Sequence, residues 1–207
     1  MKRLTLLALL GLALTACGAG APSATGGRPP LPTGVEVRYP AAPAGASVYL
    51  NLLTETGESV YQKAVAAAST RTEVDPAAWQ NRASLAQPIE TWLPAGASGA
   101  RVSAPGTPVL LLHWLMWQDR NSSGQRDSGE ALDLMTHDRV AYAAQAVSAD
   151  FTTAEPNTAQ HWQFNAGWGR AEHYVYLPSQ SSTYRRSLES QSLQRYELHL
   201  PTPVTSQ

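Results

Sequence analysis

The sequence predicts an all-β domain, a β-sandwich with one short helix. Three observations point there. Short apolar runs recur along the 207-residue chain, each bounded by Gly, Pro or Ser-rich turns. Several runs alternate apolar with polar residues, the period of a half-buried strand. Only one stretch carries a helix start: in "VDPAAWQNRASLAQ" Asp75 can cap and Pro76 takes the first helical position, so a short helix is expected near residues 76–86.

The elements follow in chain order. In "GVEVRYP", Val35 and Val37 share one side, with Glu36 and Arg38 on the other. "ASVYLNLLTE" and "SVYQKAVAAAS" flank the Gly-containing turn "TETGE", which reads as a hairpin. "PIETWLPAG" and "PVLLLHWLMW" are strand candidates bounded by Pro or Gly, although Leu and Met content would also suit a helix in the second. "RVAYAAQAV", "QHWQFNA", "EHYVYLP" and "LQRYELHLP" complete the set. In "LQRYELHL", Tyr196, Leu198 and Leu200 oppose Leu193, Arg195, Glu197 and His199. No internal repeat is visible. "PAGASVYLNLLTETGESVYQKAVAA" resembles the Ig-like or prealbumin-like modules of bacterial envelope proteins, over about thirty residues and without a diagnostic motif.

The chain opens "MKRLTLLALLGLALTACGAG". Lys2 and Arg3 precede a mostly apolar run, Leu4 to Ala13, too short for a stable bilayer anchor. That layout is a secretory signal. Leu14, Thr15, Ala16 and Cys17 resemble a bacterial lipobox, and Cys17 is the one Cys in the chain. The resemblance implies removal of residues 1–16, acylation of Cys17 and a lipid-anchored envelope protein, facing outward from the cytoplasmic membrane or held in the outer membrane. Two or more acyl chains make a durable anchor. Residues 17–33 then form a linker, since "GAGAPSATGGRPPLPT" is too poor in large apolar residues to order itself. Residues 34–207 are expected to be one domain.

A single Cys excludes an intramolecular disulfide. Fifteen basic residues stand against sixteen acidic ones, and loss of Lys2 and Arg3 with the leader takes the net charge from −1 to −3. No concentrated basic face points to nucleic acid.

The most informative stretch is "DRNSSGQRDSGE", residues 119–130, directly after the apolar run. A calcium ion takes six to eight oxygens, which a loop supplies by turning alternate residues inward. Asp119, Asn121 and Ser123 offer side-chain oxygens, Gly124 permits the sharp turn, Gln125 offers its carbonyl, Asp127 follows, and Glu130 closes with two oxygens. The window resembles an EF-hand loop at all six constrained positions. It departs from that family at Arg126, where paired loops carry an aliphatic residue, and at Gly129, a poor start for an exiting helix. With Trp117 just before it, the window is also similar to the calcium loops of bacterial surface adhesin repeats, where the ion stiffens a β domain. Three carboxylates beside Arg120 and Arg126 suggest affinity at the weak end, about 10⁻⁵ to 10⁻³ M.

Other chemistry is sparse. No two of the five His residues stand at a metal-ligand spacing, and His137 with Asp138 reads as a surface turn. There is no G-x-S-x-G and no phosphate loop. The Ser-rich segments "SSTYRRSLESQS" and "NSSG" read as loops. Six Trp residues allow for stacking on sugars, and Trp168, between two Gly in "FNAGWGRAEHY", is the candidate for a glycan-binding loop. The expected function is a non-catalytic envelope module stabilised by one Ca²⁺, its partners the membrane and an envelope protein or glycan. A cell-wall glycan-binding module is the alternative, and a hydrolytic enzyme with an unrecognised site is the third reading.

Overall fold

A computed structural model describes residues 34–191 and 194–201. The leader, the linker and Cys17 lie outside the described residues. The strands are β1 (Val35–Arg38), β2 (Ser47–Thr54), β3 (Ser59–Val65), β4 (Arg71–Val74), β5 (Gln87–Pro88), β6 (Ser98–Val102), β7 (Pro108–Asp119), β8 (Arg139–Ala143), β9 (Val147–Thr153), β10 (Thr158–Phe164), β11 (Gly167–Tyr176), β12 (Tyr184–Gln191) and β13 (Arg195–Glu197). One short helix, α1 (Ala77–Gln80), continues into a 3₁₀ turn, Asn81–Leu85. The strands make two sheets, so the domain is an all-β sandwich. The large sheet runs β3-β2-β7-β8-β11-β12-β10-β9-β6, with β5 added to β7; the small one runs β13-β1-β4.

β7 organises both layers. Alternate side chains of a strand point to opposite faces, and β7 is apolar on both. Leu110, Leu112, Trp114 and Met116 face the small sheet, in a core with Val35, Val37, Leu50, Leu52 and Tyr196. Val109 and Leu111 face the other way, toward Ala141, Ala149, Phe151, Phe164 and Leu188. A strand covered on both faces reads as a continuous apolar run, which is why "VLLLHWLMW" did not alternate. Trp79 and Trp114 anchor the first core edge-on, 5.7 Å between ring centroids, and Tyr196 packs on Trp114 at 5.9 Å.

Several expected elements stand. The β2–β3 hairpin turns at Gly57, whose φ is +86°, with Gly57 N–H donating to the Thr54 carbonyl. Asp75 Oδ1 accepts the Ala77 N–H at 2.9 Å, and Trp79 pins the helix by complete burial. Tyr196 and Leu198 are buried, as their alternation predicts.

Three expectations are corrected. "PIETWLPAG" is not a strand: after the two residues of β5, Ile89–Trp92 is a 3₁₀ turn. Pro88 has no N–H for a ladder, and the turn instead lays Ile89 and Trp92 over the sheet, with Trp92 Nε1 donating to the Val109 carbonyl at 2.8 Å. "SSTYRRSLESQS" is largely strand, because β12 pairs with β11 on one side and β10 on the other. Its backbone is satisfied on both edges, so hydrophilic side chains do not break it. "RVAYAAQAV" is split, with β8 ending at Ala143 and β9 starting at Val147. The short polar strands β4 and β6 lacked the apolar alternation that would have marked them, whereas β9 has it, with Val147, Ala149 and Phe151 buried between Ser148, Asp150 and Thr152.

Candidate functional site

The 119–130 loop is a continuation of β7. Asp119 ends the strand, and the chain returns alongside it: Gln118 N–H donates to the Glu130 carbonyl at 2.9 Å, and Ala131 bridges Trp117. Sheet pairing therefore sets the first and last residues of the window side by side. Trp117 beneath them is buried, stacked on Tyr49 at 4.7 Å, with its Nε1 donating to Asn51 Oδ1 at 2.9 Å. The base of the loop is rigid core.

All six predicted ligand residues fall in one hydrogen-bonded network. Asp119 accepts the Ser123 N–H on Oδ1 at 3.0 Å and the Gly124 N–H on Oδ2 at 2.9 Å. Asn121 Oδ1 accepts the same Ser123 N–H at 3.0 Å, and Asn121 Nδ2 donates to Asp127 Oδ2 at 2.7 Å. Ser123 Oγ donates to the Gln125 carbonyl at 2.9 Å. Glu130 ties both arms, taking the Arg120 N–H on Oε1 and the Asp127 N–H on Oε2, each at 2.9 Å. Gly124 has a φ of +71°, a conformation that a Cβ would strain. Although charged, Asp119 and Glu130 are buried, at 4 % and 5 % exposure. Each of their carboxylate oxygens accepts one N–H and has a second lone pair left.

Among the described residues no group of three or more His, Cys, Asp or Glu side chains is arranged to hold a metal. In this structure the Asp119 and Glu130 carboxylates are turned to backbone amides and the Asp127 carboxylate to the Asn121 side-chain amide, and a hard cation here would draw the rest of its oxygens from Asn121, Ser123 and the Gln125 carbonyl. Arg126 reaches out of the loop to the Gly57 carbonyl at 3.5 Å.

Trp168 is not in a loop. It lies on β11, half-buried, with its ring 5.2 Å from that of Tyr142 and packed against the first core. Gly167 opens the strand and Gly169 pairs within it. Trp79, Trp114 and Trp117 are core residues.

A second polar site was invisible to spacing. A cleft of about 610 Å³ opens on the β7–β8–β11–β12–β10 sheet where the 3₁₀ roof ends. His137 and His173 meet there, ring centroids 5.0 Å apart, although 36 positions separate them in the chain. Asp138, next to His137, is not a surface charge: Arg170 holds its Oδ2 at 2.8 Å, and the His173 N–H donates to Oδ1 at 2.9 Å. Burial, reinforced by Arg186 and His137, pushes the His173 imidazole down to about 4. Burial also lowers His137, with Arg139 adding to it. Regular alternation on β11 and β12 was the one available signal, since it sets His173 and Arg186 on the face that also carries Leu188.

Comparison with known protein families, curated proteins and solved structures finds no match for this chain.

Proposed function

We propose that this chain is an acylated envelope lipoprotein whose sandwich is a binding and structural module stiffened by one calcium ion at residues 119–130. The observation that carries the calcium reading is the single network joining Asp119, Asn121, Ser123, Gln125, Asp127 and Glu130. Six oxygen-bearing residues held on a pinned hairpin tip suit a cation that prefers six to eight oxygen ligands. Lipid attachment through Cys17 rests on the lipobox resemblance alone. It supports a location on the outer side of the cytoplasmic membrane or in the outer membrane.

Calorimetric titration of the metal-stripped protein with calcium tests the site. One ion should bind with a Kd of about 10⁻⁵ to 10⁻³ M. Absence of any heat at millimolar calcium, together with one melting temperature in calcium and in chelator, would leave the loop a polar turn. For the anchor, Cys17→Ser should abolish incorporation of labelled palmitate, and a mutant that still takes up label would overturn it. The glycan reading at Trp168 has less support, because its ring is spent on packing. Trp168→Ala should cost about 1–3 kcal/mol, part of the loss typical of a fully buried Trp.

A further inference from the structure

We propose that the cleft between the 3₁₀ roof and the β11–β12 strands binds a small organic anion, an oxyanion head on an apolar body about the size of a medium-chain carboxylate. This rests on the binding-module reading but not on calcium.

The sheet builds the cleft by alternation. Leu111 on β7, Ala141 on β8, Ala171 on β11 and Leu188 on β12 share one face and belong to the second core. Farther along that same face the residues turn polar: His113, Arg139, His173 and Arg186, with Gln160 opposite Arg186 on β10. The roof residue Trp92 and Trp162 on β10 wall the apolar part, and both line the cavity with Leu111 and Leu188. One end of the cavity is therefore greasy, and the other is polar and carries the two guanidinium groups of Arg139 and Arg186. Its volume falls in the range of small-molecule sites.

The donors exceed the acceptors. Arg186 is exposed and makes no salt bridge among the described residues. Arg139 spends Nε on Glu55 at 3.1 Å and Nη1 on the His137 carbonyl at 3.1 Å, while its Nη2 takes no hydrogen bond among the described residues. His173 Nε2, in the cavity lining, is buried with no hydrogen-bond partner among the described residues. Of the two carboxylates that line the cavity, Glu55 is already paired and Glu58 is exposed. Asp138 is consumed by Arg170 and the His173 amide. Buried groups left without partners are rare in folded proteins and call for one. Two guanidinium groups at the rim of an apolar pocket select a carboxylate or similar oxyanion, since charge-assisted hydrogen bonds are the stronger kind.

The test uses the full chain, titrated calorimetrically with octanoate and with 1-octanol, in chelator so that the calcium reading does not enter. Octanoate should bind at one site with a Kd of about 10⁻⁵ to 10⁻⁴ M, and octanol at least about tenfold more weakly. Indole resonances of Trp92 and Trp162 should shift, while Trp168, on the opposite face, should not. Arg186→Gln should weaken octanoate by about tenfold and leave octanol unchanged. Arg186 is exposed and unpaired, so that variant should keep its melting temperature; Arg139→Gln serves as the second variant. Equal binding of octanoate and octanol, wild-type affinity in both variants, or no binding of octanoate at 10 mM (about a hundredfold above the expected Kd) would overturn the proposal.

Discussion

The 119–130 loop and the neighbouring cleft hold polar groups in opposite ways. In the loop, Asp119 and Glu130 are buried, and their four oxygens each accept a backbone N–H. In the cleft, His173 Nε2 is buried and bonds to nothing among the described residues. The loop's side chains come from twelve consecutive residues, whereas those of the cleft come from separate strands and the turns between them. The two regions also touch, since Arg126 of the loop bonds the Gly57 carbonyl in the β2–β3 turn, whose Thr54, Glu55, Thr56 and Glu58 line the cleft. The difference separates two uses of buried polarity. In the loop, carboxylate lone pairs remain, which suit a cation; in the cleft, guanidinium N–H groups remain, which suit an anion.

Mutation can break that comparison, and the largest effect is expected at Asp119. Asp119→Ala removes the acceptor for two amides and one ion ligand together. It should cost about 1.5–3 kcal/mol in chelator and about 3–5 kcal/mol in millimolar calcium. Denaturant titration in both solutions measures the two values. If the loss is the same in both, Asp119 is structural and does not hold the ion.

Glu130→Gln weakens the ion site at the cost of one backbone-amide acceptor. The amide keeps one acceptor oxygen but loses the charged bidentate closure. Calcium at a hundredfold above Kd adds roughly 2.7 kcal/mol, a melting shift of about 5–10 °C for a domain of this size. The variant should lose most of that shift, and in chelator it should lose about 1–3 kcal/mol for the one amide left unpaired.

The cleft should respond to pH in chelator. His173 titrates near 4 when folded, against an ordinary value of 6.5. As pH falls below about 6.5 the unfolded chain takes up the proton first, so stability drops between 6.5 and 4 and levels off below. His113 and His137 are also lowered by burial and act in the same direction. His161 acts in reverse, since its hydrogen bond to Asp150 raises it and adds stability at low pH that is lost as pH rises through its folded value. After a discount for partial exposure, the His173 contribution is about 1–2 kcal/mol. Stability measured from pH 7.5 to 4 should fall less in His173→Asn than in wild type, and parallel curves would remove His173 from the account. The smallest effect is expected at Ser123→Ala, about 0.5–1 kcal/mol, because water can replace a neutral hydroxyl at the ion.

Neither site was equally legible beforehand. The loop could be read from the chain because its constraints are local: alternate oxygens, a Gly at the turn and a closing carboxylate lie within twelve residues, and a hairpin tip keeps them together. The same holds for Asp75 and Pro76 at the helix start and for the Gly57 turn, where each cause lies within a few residues of its effect. Strand β12 was hidden because Arg185, Arg186 and Ser187 carry no apolar period, and its stability comes from neighbours on both edges.

By itself, then, the sequence determined the β class, the Gly57 turn, the helix start and the residues of the polar loop, all through short-range sterics and periodicity. Tertiary structure alone decided that β7 is covered on both faces, that Trp168 packs on Tyr142, and that His137, His173, Arg139 and Arg186 meet. Those outcomes depend on which strands become neighbours. Strand order follows from burying two apolar faces of one sheet at once, a condition on the whole chain that no short window contains.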